Sequence, residues 1–276
     1  MRSNRETPRG LIRDLARILL VILMVPCLPV LAVLPFALNQ DATRPYTAPV
    51  LGADPDLEVA VEVDLDPDFF ESQALSFAWR SVWRDWRAEW NLPVAWIQAS
   101  ILESNAAAAS ASRRTKAASD LEYWSRIYRE AADRNRERVR PFARGFEAMA
   151  SEHDLTRQAT LELVTAFVQN FEYAVPENYL QLYPPPRLLK LGRGDCDSRA
   201  LFLALVLEEM GFDAVMLLSP RYRHAMTGVV CEGCSGAVHR SLDGRAYRFV
   251  ETTARTPPGF LHPAVGELSF WHSLKL

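Results

Sequence analysis

The chain lacks an excess of charge of either sign, and it shows no internal repeat. Its 276 residues carry 31 Lys and Arg against 34 Asp and Glu, a formal net charge of -3 at pH 7. A chain this close to neutral has little general attraction for a polyanion, so we expect no nucleic acid among its partners. Hydrophobic residues make up 49% of the chain, which is enough for the core of one large domain or two small ones.

One stretch, residues 18–38, lacks charged and polar side chains altogether. As a helix it would span ~30 Å, the hydrocarbon thickness of a bilayer. Five arginines lie in the preceding segment 1–17, and acidic residues dominate residues 39–68. The positive-inside rule then predicts a cytoplasmic segment 1–17, a transmembrane anchor at 18–38 and an extracytoplasmic remainder. A cleaved signal peptide is the alternative, but apolar residues continue beyond its best cleavage site, so an uncleaved single-pass anchor in a cell inner membrane is favoured.

Cysteine is scarce, and its distribution is informative. Of the four cysteines, Cys27 lies within the anchor, which leaves three for the exported part, Cys196, Cys231 and Cys234. Outside the cytoplasm, an odd number leaves one thiol unpaired or paired between chains. If Cys231 and Cys234 pair with each other, Cys196 is the unpaired thiol.

Cys231 and Cys234 form the chain's C-x-x-C motif, and no second one accompanies it. A zinc ion would need two further ligands at suitable spacing, for which His239 is one candidate. A redox pair would be expected in a thioredoxin-like βαβ context, which is missing around the motif. A disulfide or a free pair at the tip of a hairpin is therefore favoured, and we expect neither a metal ion nor a cofactor.

The region between the anchor and residue 154 predicts a linker, a strand and a mainly helical extension. Residues 39–56 are proline-rich and predict the linker, and alternating apolar residues over 57–65 predict the strand. A helix is predicted to begin near Asp66 and Pro67. Four tryptophans at helical spacing would then form one stripe: Trp79, Trp83, Trp86 and Trp90. Core packing is the favoured role of the stripe, and a surface for sugar, membrane interface or a partner helix is the alternative.

Further along, helices give way to strands. Residues 105–119 fit either a flexible loop or a weak helix. Helices are predicted over 121–150 and from a cap at Thr156 to Phe171, followed by a loop over 173–194. The arginines of the first of these helices are interpreted as a solvated face: Arg126, Arg129, Arg134, Arg136 and Arg138. A helix is predicted from Cys196 to Gly211, with strands over 214–218, 225–231 and 247–251, the last entered through a turn at Asp243 and Gly244.

Three side chains in these elements form a candidate catalytic triad. A cysteine at the first turn of a helix meets unpaired N–H groups and a partial positive charge, which favour its thiolate form. Cys196 is therefore the candidate nucleophile, His224 its base and Glu251 the carboxylate that orients the histidine. The Cys196 backbone N–H is a candidate oxyanion donor, and Gln169 and Gln181 are candidates for a second donor.

The three motifs resemble those of the transglutaminase-like superfamily. The run from Gly194 to Ala200 resembles its nucleophile motif, His224-Ala225 its histidine motif, and Phe249 to Thr253 its acid motif. The resemblance covers roughly residues 155–260. It implies an α+β fold with a papain-like core, in which the nucleophile helix packs on an antiparallel sheet, and a catalytic domain over 155–276. It also implies acyl chemistry through a thioester on a peptide or protein substrate.

The chain departs from the family pattern at the acid. Glu251 stands where the family more often has Asp, and Asp243 is a less favoured alternative. We expect hydrolysis of peptide or amide bonds rather than crosslinking, because no acceptor-amine site is recognisable. Since the superfamily includes inactive relatives, the alternative is a binding or scaffold module with a protein partner in the cell envelope.

Overall fold

The computed structural model describes residues 71–82, 84–112, 120–176, 182–240 and 244–276. The predicted cytoplasmic segment, anchor, linker and first strand, residues 1–65, lie outside these ranges. Within them, no helix combines the length and the apolar character needed to cross a bilayer. The described part of the chain is an α+β fold.

Along the chain a pair of strands comes first, the helices follow, and the strands of the main sheet come last. The helices are α1 (Val94–Ser112), α2 (Asp120–Glu152), α3 (Arg157–Gln169), α4 (Pro185–Leu191) and α5 (Cys196–Glu209). The strands that precede or separate the helices are β1 (Ser72–Arg80), β2 (Asp85–Pro93), β3 (Glu172–Tyr173) and β4 (Arg193–Gly194). The remaining strands are β5 (Asp213–Ser219), β6 (His224–Val230), β7 (His239–Arg240), β8 (Ala246–Val250) and β9 (His272–Leu274).

The tryptophan-rich segment is a β-hairpin, so the prediction that a helix carries the tryptophans is wrong. The predicted start of that helix at Asp66 and Pro67 lies outside the described residues. β1 pairs antiparallel with β2, and Trp79 lies opposite Trp86. Trp79, Trp86 and Trp90 are all buried, and their rings pack on one another. Positions four apart share a face in a strand as well as in a helix, so the tryptophan spacing did not distinguish the two. Core packing is confirmed for these three side chains, and Trp83 lies outside the described residues.

Helix α2 has the predicted position, but its arginines do not all form a solvated face. Arg138 donates a hydrogen bond to Glu103 of α1 at 2.7 Å, and both side chains are mostly buried. Arg136 donates to Glu208 of α5 at 2.9 Å. These two arginines tie neighbouring helices together, and for them the prediction is wrong. It is correct for the other three, which are exposed: Arg126, Arg129 and Arg134.

The predictions for three shorter segments before the thiol had different outcomes. Thr156 caps α3 as predicted, because its side chain accepts a hydrogen bond from the Ala159 N–H. Helix α1 extends to Ser112, which decides in favour of helix for part of 105–119. The predicted loop over 173–194 is wrong in part, since it contains α4 and the β4 strand, which pairs in parallel with β3. Helix α4 begins with Pro185, because proline is tolerated in the first helical turn.

The main sheet is antiparallel, with strand order β7-β8-β6-β5-β9. Its strands β5, β6 and β8 lie where the sequence predicted them. Helix α5 is buried along most of its length and packs on this sheet, where the Thr227 hydroxyl of β6 donates to the Ala200 carbonyl at 3.1 Å. The predicted arrangement of the Cys196 helix on an antiparallel sheet is therefore present. It brings the start of α5 near the start of β6.

Cys231 and Cys234 form a disulfide at the end of β6, in agreement with the favoured prediction. The Arg248 guanidinium donates hydrogen bonds to the carbonyls of Cys231 at 2.6 Å, of Ser235 at 3.1 Å and of Cys234. Within the described ranges, no group of three or more His, Cys, Asp or Glu side chains is arranged to hold a metal ion. The disulfide and the Arg248 hydrogen bonds support the interpretation that this motif is a structural cross-link of the chain after β6.

Replacing both Cys231 and Cys234 with Ser should lower the free energy of unfolding modestly. The bridged residues are three apart in sequence, and a loop this small gives a chain-entropy stabilisation of about 2 kcal/mol. Urea unfolding measures the loss, and Ser235→Ala, which keeps the disulfide, is the matched control. The alkylation rate of Cys196 in folded protein should not change. Stoichiometric zinc whose removal unfolds the chain would contradict the interpretation of the motif as a disulfide cross-link.

Candidate active site

Cys196 is the first residue of α5, as predicted. Asp195 caps the helix, because its Oδ1 accepts a hydrogen bond from the Ser198 N–H at 3.2 Å. Gly194 precedes the cap, and a Cβ at this position would lie 2.5 Å from Leu188 Cδ1, so a larger residue would require the buried Leu188 side chain to shift. Cys196 is buried and is not part of a disulfide. A close-packed loop and a side-chain cap therefore define the position of the thiol.

His224 and Glu251 are in direct contact on neighbouring strands of the main sheet. His224 begins β6 and Glu251 directly follows β8, which pairs with β6. The His224 Nε2 lies 2.9 Å from Glu251 Oε2, and their side chains are only 2% and 10% exposed. The predicted contact between these two side chains is present. The imidazole packs edge-on against Trp271, with ring centroids 6.1 Å apart.

The second carboxylate oxygen of Glu251 is held by the two residues that follow it. Its Oε1 accepts from the backbone N–H groups of Thr252 at 2.9 Å and Thr253 at 2.7 Å, and from the Thr253 hydroxyl at 2.7 Å. Burial works against the carboxylate, but the His224 imidazole and the Thr253 hydrogen bonds outweigh it and lower the pKa of Glu251 to about 2. Glu251 is therefore an anion at neutral pH and fixes the orientation of the imidazole.

The Cys196 thiol lies beside the same end of β6 and faces an acid of its own helix. The backbone N–H of Ala225, the residue after His224, lies near the sulfur and favours its thiolate form. The thiol in turn donates to Asp197 Oδ1 at 3.4 Å. Burial raises the pKa of Cys196 well above its ordinary value, and the carboxylates of Asp197 and Asp195 raise it further. In the resting chain these effects outweigh the expected stabilisation of a thiolate by the helix N-terminus, so the resting form is a neutral thiol.

Asp197 is also held from outside the helix. The Tyr128 hydroxyl of α2 donates to Asp197 Oδ2 at 2.7 Å, so the carboxylate bridges a phenol and the thiol. Burial raises the pKa of Tyr128 well above its ordinary value, and the nearby Asp197 carboxylate adds to the effect. Asp195 caps α5, whereas Asp197 contacts the thiol and the Tyr128 hydroxyl, which the sequence did not predict.

One of the two side-chain candidates for a second oxyanion donor, Gln169, makes other contacts. The Gln169 amide nitrogen donates to the carbonyls of Glu251 at 2.8 Å and Thr256 at 2.9 Å, which uses both of its hydrogens. Gln169 is therefore a support for the loop that carries Glu251, and the prediction of an oxyanion role is wrong. Gln181 and the alternative acid Asp243 lie outside the described residues.

Arg199, one turn into α5, is a buried part of the site that sequence reasoning missed. It is 1% exposed, and its guanidinium donates to three backbone carbonyls, those of Gly194, Thr252 and Phe171. A single arginine within the otherwise apolar stretch that follows Ser198 was the available signal, since a charged residue on a buried helix requires partners.

Comparison of the chain with protein-family models, with curated proteins and with solved structures found no match.

Proposed function

We propose that the chain is a cysteine acyl-transfer enzyme of the transglutaminase-like type, with a papain-like core formed by α5 and the main sheet. The observation that carries this proposal is the buried contact between His224 and Glu251, together with a helix-starting Cys196 whose sulfur lies near the N–H of Ala225, the residue after His224. Each residue type alone is common in protein cores. The three residues occur in the order expected of a triad and lie near the start of β6. A catalytic triad is therefore a better interpretation than three unrelated buried side chains.

The reaction begins with a proton transfer. Glu251 holds Nε2 of His224, so Nδ1 is the nitrogen that accepts the proton of the Cys196 thiol. The sulfur then forms a bond to the carbonyl carbon of a peptide or amide, whose π electrons move to the carbonyl oxygen. As this tetrahedral intermediate collapses, the C–N bond breaks, and the amine leaves with the proton from His224. The product on the enzyme is a thioester.

A water molecule completes the cycle. His224 accepts a proton from water as the oxygen attacks the thioester carbonyl, and the sulfur leaves and recovers the proton. The acyl group departs as a carboxylic acid, so the net reaction is amide hydrolysis. The first N–H groups of a helix have no acceptor within it, and the Cys196 N–H is therefore suited to stabilise the oxyanion in both halves of the cycle. No cofactor or metal ion enters these steps.

One observation favours a second candidate function. The buried thiol donates to Asp197 and is neutral at rest, as expected for a relative that keeps the triad residues without using them. Such a protein would act as a binding or scaffold module for a partner in the cell envelope. The two functions differ in the reactivity of Cys196 while the chain remains folded.

A peptide-based electrophile separates the two functions. On the folded full-length chain it should label Cys196 stoichiometrically, as located by peptide mass spectrometry, and Cys196→Ala should abolish the labelling. The peptide sequences that label Cys196 would then identify the substrate class. Labelling that requires prior unfolding in urea would contradict an enzyme and favour the inactive module.

We further propose that the catalytic domain lies outside the cytoplasm and is held by residues 18–38. A periplasmic reporter fused after Leu276 should be active, and a reporter that works only in the cytoplasm should be silent, because five arginines precede the apolar run. The protein should also stay with membranes after a high-salt wash, since apolar burial is not screened by salt. Replacing the five arginines with glutamates provides the matched control for orientation. Release as a shorter soluble chain would indicate cleavage of a signal peptide.

A further inference from the structure

Arg199 connects three chain segments: the loop before the thiol, the loop after Glu251 and the connection from α3 to β3. Its Nε donates to the Gly194 carbonyl at 2.9 Å, two residues before the thiol. One terminal nitrogen donates to the Thr252 carbonyl at 3.0 Å, directly after Glu251. The other donates to the Phe171 carbonyl at 2.8 Å, where the chain leaves α3 for β3. One planar group therefore fixes the distance between the loop of the nucleophile and the loop of the acid.

The Arg199 guanidinium carries a buried positive charge. All three acceptors are uncharged carbonyls, and among the described residues no carboxylate forms a salt bridge with the guanidinium. A buried charge of this kind is costly, and its cost is reduced by negative groups nearby. Burial lowers the pKa of Arg199, but an arginine keeps its charge throughout the neutral range.

Three of the six titratable groups around this charge are carboxyl groups. The titratable side chains that face Arg199 or the thiol are Asp195, Asp197, Tyr128, Tyr173, His224 and Glu251. Asp195 and Asp197 oppose a thiolate at Cys196. His224 favours the thiolate only after it has taken the proton. Arg199, which these groups surround, keeps its positive charge in every step of the proposed reaction.

We propose that Arg199 is a positioning residue that holds the nucleophile loop and the Glu251 loop at one spacing and supplies the buried positive charge that a Cys196 thiolate needs. The proposal rests on the proposed function, because it assigns a role within the same site. It does not depend on the identity of the substrate. A merely structural arginine would support the loops without changing the ionisation of the thiol, and the two roles can therefore be separated.

The chain itself offers a matched control. Arg248 also donates to three backbone carbonyls, but they belong to the segment around the Cys231–Cys234 disulfide. R248Q and R199Q thus lose the same kind of contact at two places in the fold. R199K keeps the charge and loses the planar arrangement of donors.

The experiment is the pH dependence of Cys196 alkylation by iodoacetamide in the folded full-length chain. We expect R199Q to move the midpoint upward by about one pH unit, a roughly tenfold slower reaction below the midpoint. R199K should stay near the wild-type midpoint, and R248Q should lower the melting temperature without moving the midpoint. A wild-type midpoint in R199Q, or equal shifts in R199K and R199Q, would overturn the role of the charge.

Two further outcomes have defined meanings. If R199Q does not fold, R199K decides: a midpoint near that of the wild type supports the proposal, and an upward shift of about one pH unit overturns it. If His224→Ala alkylates as fast as the wild type, the proposed function fails. The comparison of R199Q with R248Q still shows whether Arg199 controls the ionisation of the thiol, so the two failures are distinguishable.

Discussion

Replacing His224 with alanine should lower acyl-transfer turnover by about two to four orders of magnitude, the usual contribution of a general acid and base. The effect should be large because the resting thiol is neutral: burial and the carboxylates of Asp197 and Asp195 hold its pKa high. Without the imidazole, no group oriented by Glu251 remains to take the proton. The loss is measured as turnover of the peptides identified by electrophile labelling. Cys196→Ala should abolish this turnover.

The matched control is His153→Ala, which removes a histidine that packs on Trp86 of the hairpin. It should leave both turnover and Cys196 alkylation unchanged. Glu251→Gln should reduce turnover less than His224→Ala does, because the glutamine can still contact the ring but no longer stabilises its positive charge. Equal alkylation rates for the wild type and His224→Ala at neutral pH would remove the case for an activated thiol.

The sequence was sufficient to predict α5 and the strands β5, β6 and β8 of the main sheet. Helix α5 has a cap at Asp195 and an apolar body, and the strands after it are short apolar runs between turns. These local signals do not depend on distant residues. The helix predicted for the tryptophans was wrong because a spacing of four residues satisfies both periodicities, and the cross-strand pairing of Trp79 with Trp86 decides the matter.

Within the site, the sequence revealed the residue types with chemical roles and missed those that hold them. Tyr128 meets Asp197 across 69 positions of the chain, and Gln169 meets Glu251 across 82. Contacts at such separations depend on how α2 and α3 pack on α5, and no spacing rule describes that packing. This is also why the oxyanion role predicted for Gln169 was wrong. A glutamine amide can donate hydrogen bonds, but in the fold both amide hydrogens of Gln169 are already donated to backbone carbonyls.

Asp197 has the opposite influence to His224, and its removal should therefore activate the thiol. Its carboxylate lies 3.4 Å from the Cys196 sulfur, where negative charge disfavours the thiolate and raises the pKa of the thiol. Asp197→Asn keeps the size of the side chain and an oxygen that can accept from Tyr128. Without the charge the pKa of Cys196 falls, so the midpoint of alkylation should move to lower pH by about one unit. At neutral pH this is a roughly tenfold faster reaction.

Asp213→Asn is the matched control for this substitution, because Asp213 pairs with Lys275 at the start of β5. It should leave the midpoint unchanged. Tyr128→Phe should act in the opposite direction to Asp197→Asn: a carboxylate that loses the phenol at 2.7 Å holds the thiol proton more firmly, and alkylation slows. Iodoacetamide rates over pH 5–10 measure all three variants. Slower alkylation in Asp197→Asn would mean that Asp197 accepts the thiol proton itself, and the base in the first step would then have to be reassigned from His224 to this carboxylate.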